Sequence, residues 1–410
     1  MCDAKPSEVP SPAAPVRRAA GAGYLDSVQG GPAAAPASDE RVLVLPELRL
    51  ESGRTLRLAP VAYRTWGTLR ATRDNAIVVN HALTGDTAAD VWWSDLVGPG
   101  KVLDTDRFFV VCANILGSPY GSVSPPSVDP DTGRPYGPTF PDVTIRDTVA
   151  AHRQVLEHLG VRRVALAIGG SMGGMLALEW AYHRDLVRAI AVVAAGGHHS
   201  PWSIAWGEAQ RQAIFADPAW KGGAYTPDAP PASGLSVARM MAMVSYRSSG
   251  EFRTRFGRAT AGDPAGAAGG ARTAGGDAAG APGGARDAGR DPVTTARFEV
   301  ESYLHHQGKK LNERFDANCY VQLTRQMDTH DVGRGRGGYE EALDSLPQPA
   351  LVVGIPSDVL YPIDEQAELA SLLPGGQLEV LSSRFGHDGF LVDSEALAEI
   401  LGSFVRRYVY

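Results

Sequence analysis

The stretch VALAIGGSMGGMLALEWAYH, residues 164–183, decides the fold. It opens with a compact apolar run at 164–168. It turns on Gly169 and Gly170, presents Ser171, and continues through Met172, Gly173 and Gly174. Met175, Leu176, Leu178, Glu179 and Trp180 then read as a helix. Strand, tight turn and helix with a serine at the tip make a nucleophile elbow, G-x-S-x-G. Such a turn throws the serine side chain clear of the sheet, and glycines two before and two after it leave room for the close backbone. The following helix aims its N-terminus at the serine. Its positive dipole end and free N–H groups can stabilise an oxyanion there. In a chain with 47 Gly the pattern alone could be a chance turn. The strand before it and the helix after it select the functional reading.

Outward from the elbow, the chain alternates strands and helices. On the N-terminal side, 76–80 reads as a buried strand running into the small polar loop His81-Ala82-Leu83-Thr84-Gly85-Asp86, and 108–113 as the next strand. Trp92 and Trp93 point apart, one into the core and one towards the loop. Residues 144–159 carry Ile145, Val149, Val155, Leu156 and Leu159 at helical spacing, with Gly160 as a stop. Four short strands (42–44, 48–50, 56–58 and 61–63), separated by Pro46 and by Ser52-Gly53, suggest antiparallel hairpins at the start of the sheet. On the C-terminal side, 190–195, 350–355 and 378–381 read as strands, 365–373 and 394–408 as helices. The alternation makes βαβ units and a mostly parallel sheet flanked by helices.

Between 196 and 344 the pattern changes. Residues 202–217, 237–246 and 298–328 look helical with no apolar strand between them. The predicted organisation is therefore a disordered Ala/Pro/Gly/Ser-rich tail at 1–40, a first part of the α/β core at 41–199, a helical lid domain at 200–344, and a second part of the core at 345–410. The lid contains a flexible Gly/Ala-rich loop at 260–291.

Composition limits the partners. The 410 residues are 44% hydrophobic, enough for a sizeable core. A net charge of −7 with a pI near 5.8 argues against nucleic acid or an anionic membrane as the main partner. Cys2, Cys112 and Cys319 form no CxxC and no disulfide framework, which fits a reducing, cytoplasmic setting. No apolar run reaches the length of a membrane span, and no secretory signal opens the chain.

A serine nucleophile needs a base, and the base needs a carboxylate to hold its tautomer. Hydrolases of the α/β class place them in the chain order Ser, Asp or Glu, His. Here Ser171, Asp358 after the strand LVVGI, and His387 in a Gly-flanked loop after the last strand stand in that order at C-terminal strand ends. The oxyanion hole is expected from the backbone N–H of Met172 and, from the 81–85 loop, of Leu83. His81 is read as structural, since a serine uses one imidazole. His198-His199, His305-His306 and the 328–331 segment DTHD are set aside as metal sites, the last as a helix end with a solvated turn. No metal and no cofactor are expected.

With these residues in place, the chain resembles the homoserine O-acetyltransferase family of α/β-hydrolase-fold acyltransferases. The resemblance rests on NHALTGD (80–86), GPGKVLDTDRFFVVCANILGSPYGS (98–122), GGSMGGMLALEWA (169–181), GLSVARMMAMVSYRS (234–248), SYLHHQGKKLNERFDANCYVQLTRQMDTHD (302–331), GIPSDVLYP (354–362) and GHDGF (386–390). It implies transfer of an acetyl group from the co-substrate acetyl-CoA to the hydroxyl of L-homoserine, by a ping-pong route through an acyl-serine, in methionine biosynthesis. It implies substrate-binding roles for Arg239, Tyr246 and Asp388, with Arg211 a weaker alternative for the carboxylate, and a homodimer paired through the lid. The neighbouring alternatives are a homoserine O-succinyltransferase, a serine O-acetyltransferase or O-succinyltransferase, and a serine esterase with the same triad.

Overall fold

Every residue of the apolar run Val164–Gly170 is buried, as a strand must be when helices cover both faces of its sheet. The computed structural model describes residues 39–260 and 297–410. In chain order its strands are β1 (Arg41–Arg49), β2 (Thr55–Trp66), β3 (Ala76–Asn80), β4 (Val97–Gly98), β5 (Leu103–Asp104), β6 (Phe109–Ala113), β7 (Val164–Gly170), β8 (Ile190–Val193), β9 (Ala350–Gly354) and β10 (Gly376–Val380). Strands β4 and β5 pair with each other. The other eight form one sheet in the order β1-β2-β6-β3-β7-β8-β9-β10. From β6 to β10 all neighbours are parallel. Only the β1–β2 and β2–β6 pairs are antiparallel.

The hairpin differs from the four short strands read from the sequence. Strands β1 and β2 keep one register from Arg41↔Tyr63 to Arg49↔Thr55, with Pro46 opposite Leu58 left out of the pairing. Pro46 lies inside β1. The strand sits at the sheet edge, where a missing N–H deprives no second neighbour.

The first helices are α1 (Ala89–Trp92), α2 (Ile145–His158) and α3 (Met172–Trp180). Helix α2 starts where the pattern predicted, because Thr144 and Asp147 form a reciprocal capping box worth about 1 kcal/mol. Successive strand residues feed opposite faces. Val78, Val111 and Val192 join one apolar cluster with α2 and α3. Ile77, Val79, Val110 and Val193 join another with Trp93, Phe390 and the C-terminal helix Ser394–Tyr408.

Between β8 and β9 the described residues carry helices α4 (Pro201–Phe215), α5 (Ala232–Tyr246) and α6 (Ser249–Phe256), then Glu299–Asn312 and Ala317–Asp328. The run read as one helix over 298–328 is thus two. The second begins at Asp316, whose carboxylate accepts the N–H of Cys319. The predicted tail lies, but for its last residues, outside the described residues, and the predicted loop at 260–291 lies outside them beyond 260.

Candidate active site

The elbow is built by backbone approach. Ser171 has φ 57° and ψ −128°, a conformation that costs a non-glycine residue about 1–3 kcal/mol. Its N–H donates to the Val193 carbonyl of β8 at 2.9 Å. A Cβ on Gly173 would lie 2.1 Å from the Asn80 carbonyl oxygen. The start of α3 therefore rests directly on the end of β3. A Cβ on Gly170 would lie 2.5 Å from the Phe390 ring.

Asp358 and His387 arrive from the next strands of the sheet. Asp358 follows β9 and is fully buried at its side chain. Its Oδ1 accepts the N–H groups of Leu360 at 2.8 Å and Tyr361 at 3.0 Å. Its Oδ2 lies 2.7 Å from Nδ1 of His387. A carboxylate acceptor puts the ring proton on Nδ1 and leaves Nε2 as the basic nitrogen. The imidazole is caged by Tyr246, Tyr361 and Phe390, with ring centroids 5.6, 5.2 and 5.5 Å away. Phe390 thus touches both the His387 imidazole and the residue before Ser171. Its own carbonyl accepts the indole N–H of Trp93 at 3.0 Å, and the Trp93 ring meets the Phe390 ring edge-on with centroids 6.4 Å apart. Trp93 is buried and Trp92 half-buried, with the Trp92 indole bonded to the Asp86 carbonyl. The role of Phe390 was not legible. It is one aromatic residue in a glycine-flanked loop, and two of its partners, Gly170 and Trp93, are 220 and more positions away.

The loop after β3 forms a turn. The Gly85 N–H donates to the Ala82 carbonyl at 2.9 Å, so Leu83 and Thr84 are its central residues. His81 is buried and holds the turn's base. Its Nδ1 donates to the Ala82 carbonyl at 2.9 Å, and its Nε2 accepts the N–H of Ile115 at 3.1 Å. Burial holds its pKa below the ordinary histidine value, consistent with a neutral clamp. Asn80 and the His81 carbonyl lie against α3, whose first residue is Met172. First-turn N–H groups have no partner within the helix.

Arg239 and Tyr246 lie on α5, both buried. The Arg239 guanidinium sits 5.6 Å from the centre of the Tyr246 ring. Burial pushes the Tyr246 phenol up to about 12; Arg239 offsets part of this and Asp388 adds to it. Asp388, next to the imidazole, forms an ion pair with Arg247 at 2.9 Å, and Arg247 also faces Glu251 at 3.7 Å. The sequence reading missed Arg247, although it directly follows Tyr246 in the matching segment. Arg211 belongs to a different network. It pairs with Asp328 at 2.6 Å and Glu208 at 2.9 Å, while Asp328 also holds Nδ1 of His199. The 328–331 turn is correspondingly more packed than expected, with His330 buried.

Comparison with known proteins supplies the chemistry's relatives. The alpha/beta hydrolase fold family matches residues 75–394. A homoserine O-acetyltransferase from Salinibacter ruber is 54% identical over 369 residues, 89% of this chain and 97% of the relative. The crystal structure of a homoserine O-acetyltransferase from Staphylococcus aureus aligns with TM-score 0.68 and 28% identity, covering 90% of this chain and 95% of that one. That of esterase E22 aligns with TM-score 0.77 and 25% identity, covering 90% and 100%.

Proposed function

The chain belongs to the homoserine O-acetyltransferase family of α/β hydrolases, enzymes that acetylate homoserine for methionine biosynthesis, and we propose that it draws the acetyl group from acetyl-CoA and passes it through Ser171. One observation carries the mechanism. A buried Asp358, held by two backbone N–H groups, grips Nδ1 of His387 at 2.7 Å, and Phe390 packs against both that imidazole and Gly170 of the strained serine elbow.

In this reading the Ser171 hydroxyl oxygen attacks the thioester carbonyl while Nε2 of His387 takes its proton. Negative charge gathers on the carbonyl oxygen, where the N–H groups of Met172 and Leu83 receive it. The C–S bond breaks, the imidazolium returns its proton to the CoA sulfur, and an acetyl-serine remains. L-homoserine then gives its hydroxyl proton to Nε2 as its oxygen attacks the acetyl carbon. The ester leaves as O-acetyl-L-homoserine, and Ser171 recovers its proton. Arg239 would pair with the amino acid's carboxylate, Asp388 would hold its ammonium, and the Tyr246 ring would wall the pocket between them. The helical insertion at 200–344 acts as the lid over this pocket and as the face of a homodimer. The enzyme works in the cytoplasm without cofactor or metal.

The esterase relationship favours a second outcome for the same intermediate, attack by water. A thiol-release assay crossing acetyl-CoA and succinyl-CoA with homoserine, serine and no acceptor separates the readings. Release from acetyl-CoA accelerated only by homoserine is expected. Release indifferent to any acceptor would establish a hydrolase, and preference for succinyl-CoA or serine would reassign donor or acceptor.

A further inference from the structure

The turn that presents Leu83 is pinned at two carbonyls. His81 and Gly85 both donate to the carbonyl of Ala82, on one side of Leu83. On the other side, the carbonyl of Thr84 accepts Nη1 of Arg314 at 3.0 Å. Arg314 does not come from the sheet. It sits in the short link between the helices Glu299–Asn312 and Ala317–Asp328, 230 positions from Thr84. The same Nη1 bonds the hydroxyl of Tyr120. The Tyr120 ring packs edge-on against Phe315, the next residue of that link, with centroids 5.8 Å apart. One contact thus ties this joint of the helical insertion to the Leu83 turn, and two more tie it to Tyr120 in the loop after β6.

We propose that Arg314 is a positioning residue: it fixes the Leu83 turn from the insertion, so that oxyanion stabilisation depends on a side chain outside the sheet. A backbone N–H stabilises a developing oxyanion only if it is aimed in advance, since a donor that must reorient loses the advantage. A turn anchored at Ala82 alone could swivel about that point. A second anchor at Thr84 takes this freedom away, because Leu83 lies between the two. A guanidinium suits the task. It is permanently charged, and its planar fork donates to carbonyl and hydroxyl together. The inference rests on the acyl-serine reading, and on Leu83 as a donor within it.

The test is the pre-steady-state burst of CoA thiol release from acetyl-CoA with no acceptor present. Arg314→Ala is expected to slow acylation at least tenfold, while the donor concentration giving half-maximal rate stays within twofold. Guanidinium chloride at tens of millimolar should restore part of the rate, and Arg314→Lys, with one compact donor, should fall between. Tyr120→Phe keeps the ring on Phe315 and should change the rate less than threefold. Should Arg314→Ala fold poorly, Arg314→Lys and its circular dichroism carry the comparison. Acylation at the wild-type rate in Arg314→Ala or Arg314→Lys overturns the proposal. So does a slow variant that guanidinium leaves unchanged, since that marks a structural defect. Wild-type enzyme without a burst counts instead against the acyl-serine reading. The clamp is then judged on steady-state kcat, where the same tenfold loss is expected.

Discussion

The sheet and the helical insertion furnish the site by different means. The sheet's contribution is fixed by backbone. Ser171 is bonded to β8, α3 rests on Asn80 with no room for a Cβ, and Asp358 is held by two amide groups. The insertion's contribution is fixed by side chains. Arg239 lies over Tyr246, Arg247 pairs with Asp388, and Arg314 reaches Thr84. Backbone contacts leave little scope for variation, because each changes the chain path. Side-chain contacts can be rebuilt one residue at a time. On the proposed mechanism the reacting groups Ser171, His387 and Asp358 rest on the rigid half, with Arg314 aiming one oxyanion donor from the insertion, and the choice of acceptor rests on the adaptable half.

The largest effect should come from the rigid half. Ser171→Ala is expected to abolish acetyl-enzyme formation and lower kcat by about 10⁴-fold or more, with circular dichroism unchanged. An acetyl adduct found by mass spectrometry on that variant would break the assignment of the nucleophile. In the adaptable half, Arg239→Ala should raise the homoserine KM by roughly 10- to 100-fold, the worth of a lost charge-assisted hydrogen bond. The acetyl-CoA KM should stay within about twofold. Equal rises in both constants would erase the division of labour between the two halves.

The smallest effect is on acid stability, and both halves carry buried neutral imidazoles, His81 and His152 in the sheet half and His330 in the insertion. Burial brings His152 of α2 down to about 4, and His330, beyond the helix Ala317–Asp328, down to about 3; nearby His199 adds to the latter. Below the ordinary value of 6.5 the unfolded chain binds a proton that the native His152 refuses until about 4. The unfolded state therefore holds more protons in that window, and stability falls as the pH drops through it. His152→Gln, which keeps a donor for the Asn114 carbonyl, should shrink the stability difference between pH 6.5 and 5 by about 2 kcal/mol in urea titrations. If it leaves that difference as in wild type, His152 is not the group responsible.

These contrasts also explain what the sequence disclosed. The elbow, the triad order and the terminal helix Ser394–Tyr408 were legible because each is a local pattern: an apolar run, a glycine turn, a 3.6-residue repeat. The hairpin was misread because Pro46 signals a break wherever its strand lies, and only the assembled sheet shows that β1 is at the edge. The helix break before Ala317 could have been found, since Asp316 stands in an N-cap position. Arg247, Arg314 and Phe390 could not. A charge or a ring gains its meaning from a partner, and nothing in the spacing of residues 314 and 84 announces that they meet.

The torsion at Ser171 has a consequence for the enzyme's history. A glycine would sit at φ 57° without discomfort. A chain carrying glycine there should fold more firmly than the natural one and do no chemistry at all. On the proposed mechanism the nucleophile is therefore also one of the weak points of the folded chain. Drift towards a sturdier molecule is checked at this position only by the need for the product.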